Sequence, residues 1–546
     1  MIEIKNLSFS YKKGAPLALD SINLSLKPGE KVLIAGRNGA GKTTLSKIIA
    51  GLMPQVQKGH VSGTYLFDGM DMLRMERSRT APLAAVLLQD FESQLTCATV
   101  REELVFYPLN LGVPYERAKK AAENLALKFG IEGLLDRDPM SLSGGEKQKA
   151  ALLSLLIANP GLLVLDEPFT DIDPASQRFL LDFLDSGTFR GCLVVMEQSL
   201  SYYRSFDRIV LMDDGRFIKE GGRETAGEFE ALRQAGIKPP DLVSACGGFI
   251  SGGFSEADLI REAKYFDPQE HEKLSANYAN PSPLMYEVSG LQYQYPESRE
   301  YALTGVSLSI NEGDYLVVLG ANGSGKTTLM KVLAGIYGHK KGTVLFRGRN
   351  ISAEMMRGRA GYVYQNPDNQ IFAETVFDEI AFALRMKRLP ENIVVKKTEA
   401  IMDVFGITQK RGLDPFSLPK GDRQLVACAS VLVMEPEVII LDEPTTGLDA
   451  AALETMMKVI DGLNRSGKTV IIITHYMDVA ARYGRRIAAM SGGRVAYCGP
   501  KREFFGNDAL LKESGAMRTD IMELSLKLNG RLLLTAEEFA ACWKDK

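Results

Sequence analysis

A chain of 546 residues, 45% apolar and 24% charged, exceeds one ordinary hydrophobic core and reads as a globular protein of two or more domains. Its net charge of −3 gives no global electrostatic reason to bind nucleic acid. No apolar run approaches the ~20 residues of a membrane-spanning helix, and Cys97, Cys192, Cys246, Cys428, Cys498 and Cys542 show no paired metal spacing, so they read as reduced core thiols without a role.

The chain opens as a strand, Met1-Ile2-Glu3-Ile4-Lys5, without a signal-peptide profile. The apolar run Val32–Ala35 leads into Gly36-Arg37-Asn38-Gly39-Ala40-Gly41-Lys42-Thr43, followed by Thr44 and a helix-like segment. Strand, glycine-rich loop and helix in that order make a phosphate loop: backbone N–H groups cradle phosphate oxygens and the helix N-terminus adds positive potential. Further on, Leu142-Ser143-Gly144-Gly145-Glu146 precedes the apolar Ala150–Ile157. Ser143 is expected to cap that helix, and the glycine N–H groups to form a second anion site. Asn159-Pro160-Gly161 ends the helix, and Leu162-Leu163-Val164-Leu165 follows as a buried strand closing on Asp166-Glu167. A carboxylate at the C-terminal end of such a strand faces the ligand edge of an α/β sheet. Asp166 is expected to hold Mg²⁺ with the Thr43 hydroxyl, and Glu167 to accept a proton from attacking water.

The second half repeats the first. Gly320-Ala321-Asn322-Gly323-Ser324-Gly325-Lys326-Thr327, followed by Thr328, lies 284 residues after the first phosphate loop, and Asp442-Glu443 lies 276 after Asp166-Glu167. The difference, 284 − 276, places an eight-residue deletion between them, expected near Tyr337–Gly342. Repeats of this length are whole domains. Alternating strand-like and helix-like runs predict two α/β domains, each with a largely parallel sheet and flanking helices. Residues 222–285 carry six Lys/Arg and ten Asp/Glu, contain a helix start at Ser255, and read as an extension of the first domain plus a linker.

The ordered set of phosphate loop, glutamine loop, Leu-Ser-Gly-Gly signature, carboxylate strand, Asp-loop and switch residue resembles the ATP-binding cassette family in both halves. The resemblance implies two tandem P-loop cassettes, 1–221 and 286–500, each a mixed sheet with flanking helices plus a helical subdomain, and a C-terminal helical extension, 501–546. It implies ATP and Mg²⁺ as cofactors, with head-to-tail closure placing each ATP between the phosphate loop of one cassette and the signature of the other. Tyr11 and Tyr295 then stack on adenine, and Gln89 and Gln365 reach Mg²⁺ and water beside Asp166 and Asp442. Asp173 and Asp449 occupy the Asp-loop position, and His475 the switch position. Within the family, Gln365-Asn366-Pro367-Asp368-Asn369-Gln370-Ile371-Phe372 and the tail Leu533–Phe539 resemble energy-coupling factor ATPases, the vitamin and metal importers. Gln89–Leu95 is a looser form, with Glu92 opposite Asp368. That subfamily implies a transmembrane coupling protein and a substrate-binding membrane subunit as partners, peripheral attachment at the cytoplasmic face of the membrane, and no nucleic acid. The alternatives are the ATPase of another transporter class and a soluble twin-cassette factor acting on ribosomes. The acidic 222–285 segment and the lack of a basic tail argue against the second.

Two departures stand out. The second signature reads Leu418-Pro419-Lys420-Gly421-Asp422, and Pro419 lacks both hydroxyl and N–H. The first switch position is Glu197 where the second has His475. Head-to-tail pairing puts both departures in one site, leaving the other with Lys326, Asp442, Glu443, His475 and the intact Ser143-Gly144-Gly145. If the Glu197 carboxylate points inward, at ~4 Å and an effective dielectric of ~20 it repels the γ-phosphate by at most about 4 kcal/mol. In the tail, Thr535 and Glu538 are expected to form a capping box before an apolar face with Phe539 and Trp543.

Overall fold

The computed structural model describes residues 1–245 and 282–542, except Asp171, Glu297, Arg299 and Thr446. The expected helix start at Ser255 and the position of Trp543 lie outside the described residues. The chain divides into two compact units, Met1–Ser255 and Glu256–Lys546.

The first unit holds an antiparallel sheet, β1 (Ile2–Ser10), β2 (Leu19–Leu26), β4 (His60–Phe67) and β5 (Met70–Asp71), in the order β2-β1-β4-β5. A second sheet contains β3 (Lys31–Ala35), β6 (Ala84–Leu87), β7 (Leu162–Asp166), β8 (Cys192–Glu197), β9 (Arg208–Asp213) and β10 (Arg216–Gly221), in the order β10-β9-β3-β8-β7-β6. Strands β6, β7, β8, β3 and β9 run parallel, and β10 returns antiparallel. The near-continuous apolar runs of β3, β7 and β8 suit strands buried on both faces. The second unit repeats the plan. Its antiparallel sheet, β11 (Leu284–Gln294), β12 (Tyr301–Asn311), β14 (Lys341–Phe346) and β15 (Arg349–Asn350), has the order β12-β11-β14-β15. Its main sheet, β13 (Tyr315–Gly320), β16 (Ala360–Val363), β17 (Val438–Asp442), β18 (Thr469–Ile473), β19 (Arg486–Ser491) and β20 (Arg494–Pro500), has the order β16-β17-β18-β13-β19-β20. Each main sheet presents its phosphate loop, carboxylate and switch residue at one edge, because β3, β7 and β8, like β13, β17 and β18, are parallel neighbours ending together.

Between the loop and the carboxylate strand, Val100–Asn110, Tyr115–Lys128 and Gly144–Ile157 form a helical subdomain with its own core of Val100, Leu104, Ala118, Ala122, Leu142 and Leu153. In the second unit Val376–Met386, Glu391–Val404 and Lys420–Leu432 occupy the same place.

Three expectations are corrected. The eight-residue deletion is not one event near Tyr337–Gly342. Phe67 and Phe346 face Ile2 and Tyr286 in equivalent registers, an offset of 346 − 67 = 279, so five residues are lost before β14. The remaining three are lost between β15 and β16, where Ala84 and Ala360 restore an offset of 276. In the tail only half the capping box forms. Glu538 N–H donates to Thr535, but the Glu538 carboxylate accepts from Leu534 N at 2.7 Å instead of from Thr535. Finally, Met196 and Ile473 hold equivalent registers beside Ile34 and Val318 and beside Asp166 and Asp442, an offset of 473 − 196 = 277, so Gln198 and not Glu197 stands at the position of His475, and Glu197 at that of Thr474. Within 222–285, residues 229–245 extend the first unit and resemble the C-terminal tail. Phe229–Gln234, Gly236 at φ 67° and Asp241–Ala245 repeat as Asp508–Ser514, Gly515 at φ 73° and Asp520–Asn529. Buried Leu232, Ile237 and Val243 correspond to Leu511, Ala516 and Met522 at a constant offset of 279. Each set packs into the helix-side core of its own unit.

Candidate nucleotide sites

Each phosphate loop is shaped by glycine where no side chain fits. A Cβ on Gly36 would meet Met212 O at 2.4 Å, and one on Gly320 would meet Met490 O at 2.3 Å. Lys42 and Lys326 are buried and fold back onto their loops: Lys42 Nζ donates to Gly36 O (2.8 Å) and Arg37 O (3.1 Å), Lys326 Nζ to Gly320 O (2.8 Å) and Ala321 O (3.0 Å). Tyr11 and Tyr295 stand over the following helices, sharing hydrogen bonds with Thr44 (2.7 Å) and Thr328 (2.9 Å), and expose about 46% and 37% of their surface. An exposed aromatic face beside a phosphate loop is what an adenine ring stacks on.

In the second unit, Asp442 accepts from Thr327 Oγ1 (3.1 Å) and Tyr362 OH (2.6 Å). Glu443 takes a left-handed φ of 48°, as Glu167 takes 51°, a conformation costing non-glycine residues free energy and typical of functional sites. That twist turns each glutamate off its strand end toward the phosphate loop. Glu443 accepts from Gln365 Nε2 at 2.7 Å, and His475 Nε2 lies 2.7 Å from its other oxygen. The two side chains are thus in close polar contact within the interior. Burial alone would raise the Glu443 pKa, but His475 and the charge of Lys326 outweigh it and hold the carboxyl below its ordinary value.

In the first unit, Asp166 accepts from Ser46 Oγ (2.9 Å), and burial pushes its pKa up to about 6. Glu167 accepts from Gln89 Nε2 (2.9 Å) and Gln198 Nε2 (2.7 Å) and lies 3.4 Å from Lys42 Nζ. Glu197 does not point at the phosphate site. It is buried, and its carboxyl accepts from Phe169 N at 2.9 Å. Burial, then the neighbouring Glu167 charge, pushes its pKa up to about 8, so it is protonated at neutral pH and the expected repulsion of the γ-phosphate is absent.

This gives a pH prediction. The folded Glu197 carboxyl keeps its proton to about pH 8, whereas the unfolded one loses it near 4.5. Its contribution is therefore complete below pH ~4.5 and is lost as pH rises through 8, at roughly 1.4 kcal/mol per pH unit. Glu197→Gln keeps the acceptor for Phe169 N without a titrating proton. The variant is expected to unfold thermally at or just below the parent temperature at pH 5 and several degrees above it at pH 8.5. Parallel curves across that range would contradict the assignment.

The signatures differ as their sequences do. Ser143 caps Gly144–Ile157 with a complete capping box closed by Glu146, and a Cβ on Gly145 would strike Ser176 Oγ at 1.9 Å, so the glycine lies against the Asp-loop helix. In the second unit Pro419 sits at the N-cap without a side-chain cap, Asp422 is paired to Lys410 (2.5 Å), and the Lys420 stem lies over Gly447. Asp173 and Asp449 act as N-caps of the helices Pro174–Asp185 and Ala450–Arg465. The acids of the glutamine loops are tied to the signature helices: Glu92 to Lys147 (3.0 Å) and Asp368 to Arg423 (2.8 Å).

The donor set fits Mg²⁺. A threonine hydroxyl and a strand-end aspartate meet beside each phosphate loop, and Asp166 Oδ1 is buried with no hydrogen-bond partner. Mg²⁺ takes few protein ligands and completes its shell with water and phosphate. Thr43 and Asp166, or Thr327 and Asp442, would hold it, with Gln89 or Gln365 alongside. When bound it neutralises charge on the phosphates. Among the described residues no cluster of three or more His, Cys, Asp or Glu offers a full protein cage.

Sequence reasoning set the first switch position one residue early, at Glu197 instead of Gln198, and missed Ser46, Tyr362, Lys147 and Arg423. None belongs to a recurring motif. For Gln198 the signal was the distance from the strand end, since it lies two residues beyond Met196 as His475 lies two beyond Ile473.

The comparisons agree with this geometry. The ABC transporter family model matches residues 19–170 and 303–446. A "Putative ABC transporter ATP-binding protein" of Caldanaerobacter subterraneus subsp. tengcongensis is 35% identical, covering 100% of this chain and 99% of its own. One so named from Methanosarcina acetivorans is 34% identical, covering 96% of this chain and 90% of its own. A solved structure, cbiO1 from Clostridium perfringens, titled as part of the ABC transporter complex cbiONQ, is 33% identical over 42% of this chain and 94% of its own, at a TM-score of 0.39. With two phosphate loops, two carboxylate pairs and full-length relatives of this kind, the chain belongs to the ABC transporter family as an ATP-binding cassette ATPase with two cassettes in tandem.

Proposed function

We propose that this protein is the ATP-hydrolysing subunit of an energy-coupling factor importer for a micronutrient, docked at the cytoplasmic membrane face to a transmembrane coupling protein and a substrate-binding membrane subunit. The single observation that carries the reading is the reach of the second glutamine loop. At one end Gln365 binds the glutamate expected to activate water, at 2.7 Å. At the other, Phe372 is 60% exposed and stands edge-on to exposed Phe382, ring centres 4.7 Å apart. An exposed aromatic pair joined through a short loop to the catalytic carboxylate suits a surface that senses a partner helix. No helix among the described residues is long and apolar enough to cross a membrane, so transport needs partners.

In this reading ATP closes the two cassettes head to tail. Glu443 takes the proton from water, and His475 and the Ser143–Gly145 N–H groups hold the γ-phosphate. The site with Glu167, Gln198 and the 418–422 segment holds nucleotide and turns it over slowly. Distances between labels in the two units should shorten with ATP in a Glu443→Gln variant.

The test is purification from membranes followed by reconstitution. Two membrane proteins should copurify in fixed ratio. Asp368→Ala, which releases Arg423 on the signature helix, should cut transport in vesicles at least fivefold while lowering basal hydrolysis less than twofold. Absence of a stoichiometric membrane partner, or transport and hydrolysis falling together, would remove the importer assignment.

A further inference from the structure

The two phosphate loops share their inner bonds and differ in what holds them from outside. In each, the carbonyl of the second loop residue, Arg37 or Ala321, accepts from the loop lysine. In the first unit Arg37 is also gripped by the extension 229–245. Its N–H donates to Ala235 O at 3.2 Å, which gives a partner to a carbonyl at the end of the helix Phe229–Gln234. Its side-chain stem lies against Gly236, where an added Cβ would meet Arg37 Cβ and Cδ at 3.2 Å each. Its Nε donates to Asp213 Oδ1, at the end of β9, at 2.6 Å.

None of these three contacts is repeated among the described residues of the second unit. Ala321 stands where the first loop has Arg37. Leu211 and Ala489 hold equivalent registers beside Ala35 and Leu319, an offset of 489 − 211 = 278, so Ser491 stands at the position of Asp213. The carbonyl equivalent to Ala235 O is Ser514 O, which accepts nothing from Ala321, and nothing lies within 4 Å of a Cβ added to Gly515.

An exposed arginine–aspartate pair contributes little by itself. The weight lies in the convergence on one loop residue, whose N–H, carbonyl and side chain are all engaged before a ligand arrives. A loop ordered in advance loses less freedom on binding. We propose that Arg37 is the positioning residue of the first phosphate loop: with Asp213 and the Ala235–Gly236 turn it latches the loop to the extension, so that the first site keeps its nucleotide longer than the second. The proposal rests on the reading that the first cassette holds nucleotide. The coupling is reciprocal, so nucleotide in the loop also secures the extension from which the chain runs on to the second cassette.

Release of a fluorescent ATP analogue from the full chain tests the latch. In Lys326→Ala protein only the first loop should load. There Arg37→Ala should speed release at least fivefold, and Arg37→Lys, which keeps the stem and the charge, less than twofold. Asp213→Ala should speed it about twofold, and the double variant should be no faster than Arg37→Ala, because both act through one latch. Amide hydrogen exchange at Leu232–Ile237 should slow at least fivefold when ATP is added to the parent, and less than twofold in Arg37→Ala protein of the parent melting temperature. In Lys42→Ala protein, where the second loop alone should load, Arg37→Ala should leave release unchanged. Unaltered release at the first loop, equal acceleration at both loops, multiplying effects of the two substitutions, or exchange that responds to ATP as in the parent each overturns the proposal. Failure of Lys326→Ala protein to load at all, while Lys42→Ala protein loads, would instead overturn the reading of the first cassette as a nucleotide site, and the proposal with it.

Discussion

Glu443→Gln is expected to lower ATP hydrolysis at least 100-fold, while Glu167→Gln leaves more than half of it. The two side chains sit at equivalent strand ends with the same left-handed backbone, so the difference lies in their partners. Glu443 contacts His475, which can carry charge, and Gln365. Glu167 contacts two neutral amides and the buried Lys42. A positioned general base contributes about 10²–10⁴ in rate, and each ~1.4 kcal/mol of lost transition-state stabilisation is tenfold. Steady-state hydrolysis of each variant, with ATP binding confirmed at both loops, checks this. Equal losses would mean that Gln198 in place of histidine, and Pro419, are tolerated variation.

Gly325→Ala is expected to abolish ATP binding at the second phosphate loop and to destabilise the second unit by about 3 kcal/mol or more. Gly325 has a φ of 95°, and a Cβ there would meet Ala302 O at 2.6 Å and Leu303 Cδ2 at 2.8 Å. Left-handed backbone alone costs an alanine roughly 1–2 kcal/mol. The clash adds more, because Ala302 and Leu303 belong to β12 in a packed sheet and cannot retreat. Gly323→Ala separates the two costs. Its φ is 77°, but nothing lies within 4 Å of the added carbon, so its loss in stability should stay near 1 kcal/mol. Denaturant midpoints and binding of labelled ATP read both effects. Equal destabilisation by the two alanines would show that the loop yields around Gly325.

The alternation of buried strand, glycine loop and helix was legible in the sequence because it is local. Val32–Ala35 cannot be an exposed strand, and Gly36–Thr43 cannot be a helix. A strand ending in Asp442-Glu443 must present them at the sheet edge, and Ser143 before Gly144-Gly145-Glu146 specifies its own cap. The internal repeat fixed the two-cassette plan for the same reason, since motif spacing survives where side chains vary. What tertiary structure decided was which groups meet. Ser46 and Tyr362 supply the second hydroxyl to Asp166 and Asp442, from a helix in one unit and a strand in the other, so no spacing rule links them. The Glu197 side chain was placed by the Phe169 amide and by the cost of a buried charge, and the strand register put Gln198, not Glu197, where His475 stands, within reach of Glu167. The likeness of 229–245 to 508–529 stayed hidden because packing there asks only for an apolar side chain at each buried position and a left-handed glycine between helices. Leu232 with Leu511, Gly236 with Gly515, and Asp241 with Asp520 at the helix start are the identities at that offset.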